Sequence, residues 1–373
     1  MPSQAEIKRL KALDQHIVEV ASWLAPSTLL NPTMSSRRSA WEAFRRGWRR
    51  GEIIDPRFDY LPLPADDIAR SHRALDEIVF GDTPLDRLFE EQVHQLHLQL
   101  ELLEERGTRR FGQIAAQIHG LPSPRLIALA HGILDGEVTF DELPDEPRDL
   151  SGHRLDAWTM AHHMRKALEE MEIEGWQVVV LGEMSARMSV SARHQEVRVK
   201  SDSIFTLQDR DRLIVHELGT HVRRACNGFK TGLMNLGLGL SGYMATEEGL
   251  ASYMEQKHGL LRRSMTRIYA QRALGAHFAH AMGFADTFRQ MIGVGASPEV
   301  AWDVTLRVKR GLTDTSIPGG NPKDYVYLHG HQIVHDFLDR GGLESDLFLG
   351  KIAVEHIALI KELLSQWDFQ AAA

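Results

Sequence analysis

The motif His216-Glu217-x-x-x-His221 constrains this chain more than any other stretch of its sequence. It follows the apolar run Leu213-Ile214-Val215, so two imidazoles and a carboxylate enter a helix that is buried at its start. Buried polar groups need partners, and two histidines with an adjacent glutamate are the ligands and general base of a zinc peptidase helix. The motif therefore predicts one Zn²⁺ per chain, bound by His216 and His221, with Glu217 as the general base.

The spacing of the two histidines is unusual, because they stand five positions apart. Five residues turn an α-helix through roughly 140° beyond a full circle, whereas four residues leave only about 40° between side chains. A π-bulge absorbs one extra residue in a turn, and such bulges gather at functional sites. We therefore predict a bulge at Leu218-Gly219-Thr220, where Gly219 tolerates backbone geometry that other residues resist.

A third metal ligand is expected in the stretch Glu247-Glu248-Gly249-Leu250-Ala251, on a second predicted helix. Glu248 lies 27 residues after His221 (248 − 221). Adjacent helical residues point about 100° apart, so only one of the two glutamates faces the metal. We expect Glu248 to be that ligand, and the other glutamate can orient a ligating imidazole. The intervening Gly-, Leu- and Met-rich segment 228–242 is either a connector, a wall of the substrate pocket or a lid.

These two motifs resemble a known family. His-Glu-Leu-Gly-Thr-His followed by Glu-Glu-Gly-Leu-Ala is similar to the bacterial flavohaemoglobin expression-modulating QEGLA-motif family, which is related to the microtubule-associated tyrosine carboxypeptidases. Glu247 stands where that motif has glutamine, and the family glutamate maps to Glu248. The resemblance covers about residues 50 to 365. Further matches lie at Asp55–Tyr60, Gly120–Pro124, Cys226–Gly228, Arg310–Gly311 and Val326–Gly330.

The resemblance implies a gluzincin-like zinc carboxypeptidase that acts on the C-terminal tail of a peptide or protein. The carboxypeptidase direction and a preference for a C-terminal aromatic residue come from the resemblance alone. In the expected mechanism Glu217 assists the attack of zinc-bound water on the scissile carbonyl. The alternative is a non-hydrolytic, zinc-binding regulator of the expression of another protein, as the bacterial family name suggests. Glu217 argues against that alternative, because a purely structural zinc site needs no general base.

The predicted fold class is α+β and mostly helical, with a zincin-like catalytic domain over 151–373 and an N-terminal helical region over 1–150. The boundary is placed near the acidic, proline-bearing loop 141–151. Three β-branched or alternating stretches predict a small antiparallel sheet ahead of the metal helix. They are Trp176–Leu181, Arg187–Val190 and His194–Lys200.

The stretch 35–50 predicts a basic, aromatic helix. Trp41, Phe44 and Trp48 share one face by steps of three and four residues. The arginines between them either grip an acidic peptide or nucleic acid, or stay solvated while the aromatic residues pack inward. We favour the second interpretation.

Further catalytic and binding candidates lie outside the two motifs. A tetrahedral intermediate needs hydrogen-bond donors for its oxyanion, and Tyr327 or His329 can supply them. Guanidinium groups bind carboxylates bidentately, so a cation on the predicted sheet can hold the substrate's C-terminal carboxylate, although each is also consistent with a solvated strand face. These cations are Arg187, Arg193, Arg198 and Lys200.

Composition restricts the partners. The formal net charge is −8, which does not favour nucleic acid. The sequence contains no run of about 18 apolar residues, so no membrane span is expected. Residues 1–8 lack the apolar core of a signal peptide. Cys226 is the single cysteine, which excludes an internal disulfide and fits a reducing compartment. The expected location is therefore the cytoplasm.

Overall fold

The computed structural model describes residues 3–23, 26–138, 143, 154–182, 184 and 186–366 of the chain. These residues are mostly helical and carry one three-stranded sheet, so the α+β class is confirmed. The helices before the sheet are α1 (Gln4–Ser22), α2 (Pro26–Leu29), α3 (Met34–Arg49), α4 (Ala65–Asp76), α5 (Pro84–Glu104), α6 (Arg109–His119), α7 (Pro124–Asp135) and α8 (Ala157–Glu170). The strands are β1 (Gln177–Leu181), β2 (Met188–Ser191) and β3 (Glu196–Lys200).

Helices also make up most of the chain after the sheet. They are α9 (Leu207–Leu213), a π-helix (Ile214–Val222), α10 (Arg223–Lys230), α11 (Met234–Leu238), α12 (Tyr243–Lys257), α13 (Arg263–Ala281), α14 (Phe284–Gly293), α15 (Pro298–Lys309), α16 (Val326–Asp339) and α17 (Ile357–Gln366). Short 3₁₀ turns lie at Lys323–Tyr325, Glu344–Phe348 and Val354–His356. None of the helices in the described ranges combines the length and apolar content that crossing a bilayer requires.

The chain forms two compact units, each assembled from separated stretches of sequence. The first unit comprises Met1–Gln15, Phe140–Met265 and Gly330–Ala373, and the second comprises His16–Thr139 and Thr266–His329. The loop 141–151, where the sequence suggested a boundary, lies almost entirely outside the described residues. The division into 1–150 and 151–373 therefore stays a prediction.

The sheet is mixed, so the expectation of an antiparallel sheet is wrong for one of its two strand pairs. The strand order is β1–β3–β2. β2 pairs antiparallel with β3, as predicted, whereas β1 pairs parallel with β3, with Val178 opposite Val197. Alternating apolar residues show which face of a strand is buried, but this period of two is the same for both directions of pairing. The pattern therefore located all three strands without determining how they run.

The core of the first unit lies between α8, the sheet and the π-helix. Val197 and Val199 of the central strand are fully buried, as are Leu218 and Val222 of the π-helix. α8 covers the same core with a row of methionine, leucine and alanine side chains: Ala157, Met160, Ala161, Met164, Ala167 and Leu168. Each Å² of apolar surface buried in this core contributes roughly 25 cal/mol. This packing holds the π-helix against the sheet and α8.

An aromatic cluster forms a core of the second unit. Phe44 of α3 packs edge-on against Phe288, with ring centroids 4.8 Å apart. Trp41 packs against Trp302 at 5.0 Å, and Trp48 packs against Phe288 at 5.1 Å. The inward packing predicted for this helix is therefore confirmed. Several arginines of the stretch are exposed, namely Arg38, Arg45, Arg46, Arg49 and Arg50.

Candidate metal centre

The two histidines of the motif lie on a π-helix that spans Ile214–Val222, so the predicted bulge is confirmed and extends over nine residues. The i→i+5 hydrogen bonding of a π-helix stacks residues five apart on one face. His216 and His221 consequently lie side by side, with ring centroids 4.8 Å apart. Thr220 supports this geometry, because its Oγ1 donates a hydrogen bond to the Val215 carbonyl oxygen at 3.1 Å.

The π-helix continues directly from α9, whose start is defined by local sequence. The Thr206 side chain accepts a hydrogen bond from the Asp209 amide, and the Asp209 carboxylate accepts one from the Thr206 amide. This capping box satisfies two amides that the helix leaves unpaired. Gly219 is not sterically required, because a Cβ there would lie 3.6 Å from the Ile214 carbonyl oxygen and 3.8 Å from Met171 Cε. A small side chain at this position would therefore fit without displacing its neighbours.

The segment between the π-helix and α12 is a folded connector that contains α10 and α11. Its anchor is Asp14, which is 1% exposed. The Asp14 carboxylate accepts hydrogen bonds from the amides of Met234 at 2.5 Å and Asn235 at 3.0 Å, and from Asn235 Nδ2 at 2.9 Å. A buried carboxylate that satisfies these amides fixes the start of α11. Of the three interpretations of 228–242, the contacts support a connector.

α12 carries Glu248 and packs against the π-helix. It also crosses α16 at two glycines. A Cβ on Gly249 would lie 2.1 Å from the Gly330 carbonyl oxygen, and one on Gly330 would lie 2.0 Å from the Ala245 carbonyl oxygen. Any side chain at either position would push the two helices apart, which explains the glycine that follows the glutamate pair.

The structure brings His216, His221 and Glu248 together in one group, the triad. One ligand atom from each lies within 4.8 Å of the others. Glu248 Oε2 is 3.8 Å from His216 Nε2 and 3.9 Å from His221 Nε2. A tetrahedral ion with bonds of about 2.1 Å separates its ligands by roughly 3.4 Å. These three residues can therefore hold a metal ion with small adjustments.

Two observations of the structure fit such an ion. Glu248 Oε2 is buried and has no hydrogen-bond donor among the described residues, although a buried carboxylate oxygen normally requires one. Both imidazoles use Nδ1 for carboxylates, so that Nε2 faces Glu248. His216 Nδ1 lies 2.7 Å from Glu255 Oε1, and His221 Nδ1 lies 2.8 Å from Glu247 Oε1. This is the arrangement in which carboxylates fix the tautomer of metal-binding histidines.

Charge is concentrated around His216. Burial alone would lower the pKa of its imidazole, but the hydrogen bond and charge of Glu255, with Glu217 and Glu248 nearby, raise that pKa to about 9. Burial would likewise raise the pKa of Glu255, but His216 and Arg212 lower it. Arg212 donates to Glu255 Oε1 at 2.8 Å. The metal-free imidazole of His216 is therefore protonated at neutral pH, and a metal must displace that proton.

Glu247 is the more heavily paired of the two adjacent glutamates. Its carboxylate accepts hydrogen bonds from His221, from Lys351 Nζ at 2.8 Å and from Arg224. Burial would raise the pKa of Glu247, but the charges of Lys351, Arg224 and His221 lower it well below its usual range. Glu247 therefore contacts the imidazole of His221 on its Nδ1 side, opposite the Nε2 atom that faces Glu248. This is the role that the sequence suggested for the second glutamate.

Glu217 lies beside His216 on the π-helix and is 7% exposed. Its carboxylate is close enough to contribute to the raised pKa of His216. The geometry thus places a fourth acidic side chain at the triad without making it a member of the ligand group.

The motifs and the geometry agree with a comparison to known families. A family model described as microtubule-associated tyrosine carboxypeptidase matches residues 45–367. The chain belongs to this family. The match includes the π-helix, α12 and the acidic and basic residues around the two histidines. The resemblance to the bacterial QEGLA-motif family is compatible with this assignment.

Curated members of the tyrosine carboxypeptidase family align with part of the chain. Human microtubule-associated tyrosine carboxypeptidase 1 is 35% identical over 153 residues, which is 39% of this chain and 31% of the human protein. The mouse protein of the same name is 32% identical over 157 residues, which is 40% of this chain and 32% of that protein. The chain thus spans about a third of the length of these relatives.

In this family member, Tyr327 and His329 lie in the second unit, whereas the triad lies in the first. The Tyr327 ring stacks on Tyr269 at 5.3 Å, and the Arg272 guanidinium lies 4.6 Å from the Tyr327 centroid. The His329 ring stacks on that of Tyr325, with ring centroids 5.4 Å apart. Their expected role as oxyanion donors stays a prediction.

The cations proposed for the substrate carboxylate make contacts within the sheet region. Arg187 pairs with Asp209 at 3.0 Å, Arg198 pairs with Glu196 at 2.8 Å, and Lys200 pairs with Asp202 at 3.2 Å. The fourth candidate, Arg193, also has a partner. These pairs are consistent with the alternative of a solvated strand face.

Sequence reasoning missed Glu255, Arg212, Arg224 and Lys351. Glu255 had a usable signal, because it follows Glu248 by seven residues, and seven residues make almost two turns of a helix. It therefore belongs on the same face of α12. The basic residues gave no such signal, because an arginine or lysine is common on any helix surface.

Proposed function

We propose that this protein is a zinc-dependent metallopeptidase, and specifically a carboxypeptidase. His216, His221 and Glu248 would hold one Zn²⁺ per chain. The observation that supports this most is the convergence of two Nε2 atoms on a buried carboxylate oxygen that has no hydrogen-bond donor among the described residues, while both Nδ1 atoms are held by other carboxylates. Two histidines and one glutamate are the protein ligands of many catalytic zinc sites, which keep a fourth position open.

Zinc at this site would supply a Lewis acid for the scissile carbonyl and make water a better nucleophile at neutral pH. The chain's own residues carry the proton. Glu217 takes a proton from the attacking water and passes it to the leaving amine. Glu255 and Glu247 keep the imidazoles oriented through Nδ1. Tyr327 and His329 remain our candidates for donors to the oxyanion.

The substrate is proposed to be the C-terminal tail of a peptide or protein. The names of the curated relatives, tyrosine carboxypeptidases, support removal of a C-terminal residue and a preference for an aromatic one. β2 is an edge strand and packs against the π-helix. Its outer edge can align an extended peptide backbone by strand addition, and a cation of the sheet region can receive the terminal carboxylate.

The test is Glu217→Gln, with metal content and peptide turnover measured on the same preparation. The substrate is a peptide library that varies only in its C-terminal residue, and mass spectrometry identifies the products. We expect about one zinc per chain in both proteins and a loss of about a thousandfold in turnover for the variant. Glu169→Gln, at an exposed position of α8, is the matched control and should keep both.

Two outcomes would contradict the proposal in different ways. A wild-type protein that holds zinc but cleaves no member of the library would favour the non-hydrolytic regulator. A protein that binds no divalent metal, with His216→Ala behaving as the wild type, would remove the site itself.

A further inference from the structure

The two adjacent glutamates of α12 have opposite surroundings. Glu247 is 3% exposed, and both of its carboxylate oxygens are engaged. Oε1 lies 2.8 Å from His221 Nδ1 and 2.8 Å from Lys351 Nζ, while Oε2 accepts a hydrogen bond from Arg224. Glu248 Oε2 has no donor among the residues that the structure describes. One glutamate is therefore saturated by cations, while the other is left for a metal.

The cations on Glu247 are themselves deeply buried. Arg224 is 0% exposed, and Lys351 is 7% exposed. Arg224 also donates to the Ile352 carbonyl oxygen at 2.8 Å, and Lys351 Nζ lies 5.7 Å from the centroid of the Tyr243 ring. Burying a cation without a partner costs several kcal/mol. Both cations have such a partner, because each pairs with Glu247.

The charges around the two histidines show how these cations act on the site. Four carboxylates surround the two histidines: Glu217, Glu247, Glu248 and Glu255. Three cations face them: Arg212 on Glu255, and Arg224 and Lys351 on Glu247. Without a metal, the three cations offset the negative charge that a protonated His216 does not, and the loss of any one leaves one buried carboxylate charge without a counter-ion.

We infer that Lys351 and Arg224 are positioning residues of the metal centre that act through Glu247: they hold Glu247 on His221 and offset the negative charge of the metal-free site. The inference rests on the metal site proposed above, but it does not depend on peptidase activity. The inference predicts different effects on the metal-free protein and on metal binding. Removing the charge of Lys351 destabilises the metal-free protein, and it strengthens the attraction of the site for a divalent cation.

The experiment compares Lys351→Met with the wild type in the full chain. The melting temperature is measured for the metal-free and the Zn²⁺-loaded forms, and the Zn²⁺ dissociation constant is measured by chelator competition. We expect Lys351→Met to lower the metal-free melting temperature by about 5 °C, to lower that of the loaded form by less, and to bind Zn²⁺ about tenfold more tightly. Lys351→Arg keeps the charge and should remain near the wild type.

Lys257→Met is the matched control, because Lys257 is a partly exposed lysine of the same unit whose partner is Glu344. It should leave the affinity and both melting temperatures close to those of the wild type. If Lys351→Met fails to fold without metal, the double variant Glu247→Gln/Lys351→Met decides, because it removes one charge of each sign. Its Zn²⁺ affinity should return to within about threefold of the wild-type value.

Three results would overturn the inference. Lys351→Met could lower both melting temperatures equally, which is the signature of a purely structural contact. It could bind Zn²⁺ no more tightly than the wild type, or the double variant could behave as the single one does. If the wild type binds no Zn²⁺, the proposed function falls as well, whereas the other outcomes leave it intact.

Discussion

A Cβ atom on Gly249 would lie 2.1 Å from the carbonyl oxygen of Gly330, so the backbones of α12 and α16 touch where these glycines meet. The contact comes one residue after Glu248. The position of Glu248 opposite the two imidazoles therefore depends on how closely α16 lets α12 approach.

We expect Gly249→Ala to weaken metal binding by about tenfold or more. A methyl group cannot fit against backbone atoms, so the helices must move apart, and overpacking of this kind costs about 1–3 kcal/mol. Chelator competition measures the affinity, and thermal melting of the metal-free form measures the stability. Gly293→Ala in α14 is the control, because a Cβ there meets nothing within 4 Å. Unchanged affinity in Gly249→Ala would show that this contact does not position Glu248.

Gly219→Ala should behave in the opposite way, although it lies between the two histidines. Its Cβ would make only ordinary contacts, at 3.6 Å and 3.8 Å, and alanine favours helices over glycine by about 1 kcal/mol. We expect zinc content and melting temperature at or slightly above the wild-type values. A loss of metal would mean that the π-helix needs the flexibility of glycine after all.

Metal binding should depend on pH through His216, whose pKa is raised to about 9 in the metal-free protein. Because the metal must displace that proton, affinity should increase about tenfold from pH 7 to pH 8. The sign for stability is the reverse. A raised histidine pKa stabilises the metal-free fold below the unfolded value of 6.5, and this contribution is lost as the pH rises through about 9.

Measurements of the Zn²⁺ dissociation constant and of the metal-free melting temperature at pH 6.5, 7.5 and 8.5 test both signs. Glu255→Gln keeps a hydrogen-bond acceptor for His216 Nδ1 but removes the charge that raises the pKa. The pH dependence of its affinity should therefore be shallower than that of the wild type. An affinity of the wild type that does not change with pH would exclude a protonated His216 in the metal-free state.

Features encoded over a few residues were predictable from the sequence. The five-residue spacing of His216 and His221 predicted the π-helix because two ligands of one ion must share a face. The alternation of Val197 and Val199 predicted a strand. The direction of β1 relative to β3 was not predictable, because the same alternation serves both directions of pairing.

Contacts between residues far apart in the sequence could not be predicted. Lys351 follows Glu247 by 104 residues (351 − 247), and nothing in either local pattern connects them. In the same way, no periodicity shows that 266–329 shares a unit with 16–139. Local propensity determines elements, whereas such pairings depend on packing across the whole unit.

The second unit contains another buried lysine, Lys309, which is 0% exposed, and burial lowers the pKa of its ammonium group to about 7. Its Nζ donates to the carbonyl oxygens of Ala279 at 3.3 Å, Ile317 at 2.8 Å and Gly319 at 2.9 Å, and to that of Met282. Two of these acceptors lie at or just after the end of α13, where helical carbonyls lack intrahelical amide partners, and that of Ala279 also accepts a hydrogen bond from the Gly319 amide at 2.7 Å. One ammonium group thus joins the end of α13 to the loop 317–319.

Lys309→Met should therefore lower the free energy of unfolding of the second unit by about 3 kcal/mol or more. The variant keeps most of the apolar stem but removes the ammonium donor from the partly buried carbonyl oxygens of Met282, Ile317 and Gly319, each at a cost of about 1–3 kcal/mol. Urea unfolding followed by tryptophan fluorescence measures the loss, since Trp41, Trp48 and Trp302 all lie in that unit. Arg289→Met removes an exposed pair with Asp286 and should change stability by less than about 0.5 kcal/mol. Equal effects of the two substitutions would mean that the carbonyl oxygens around Lys309 find water or other donors once the ammonium is gone.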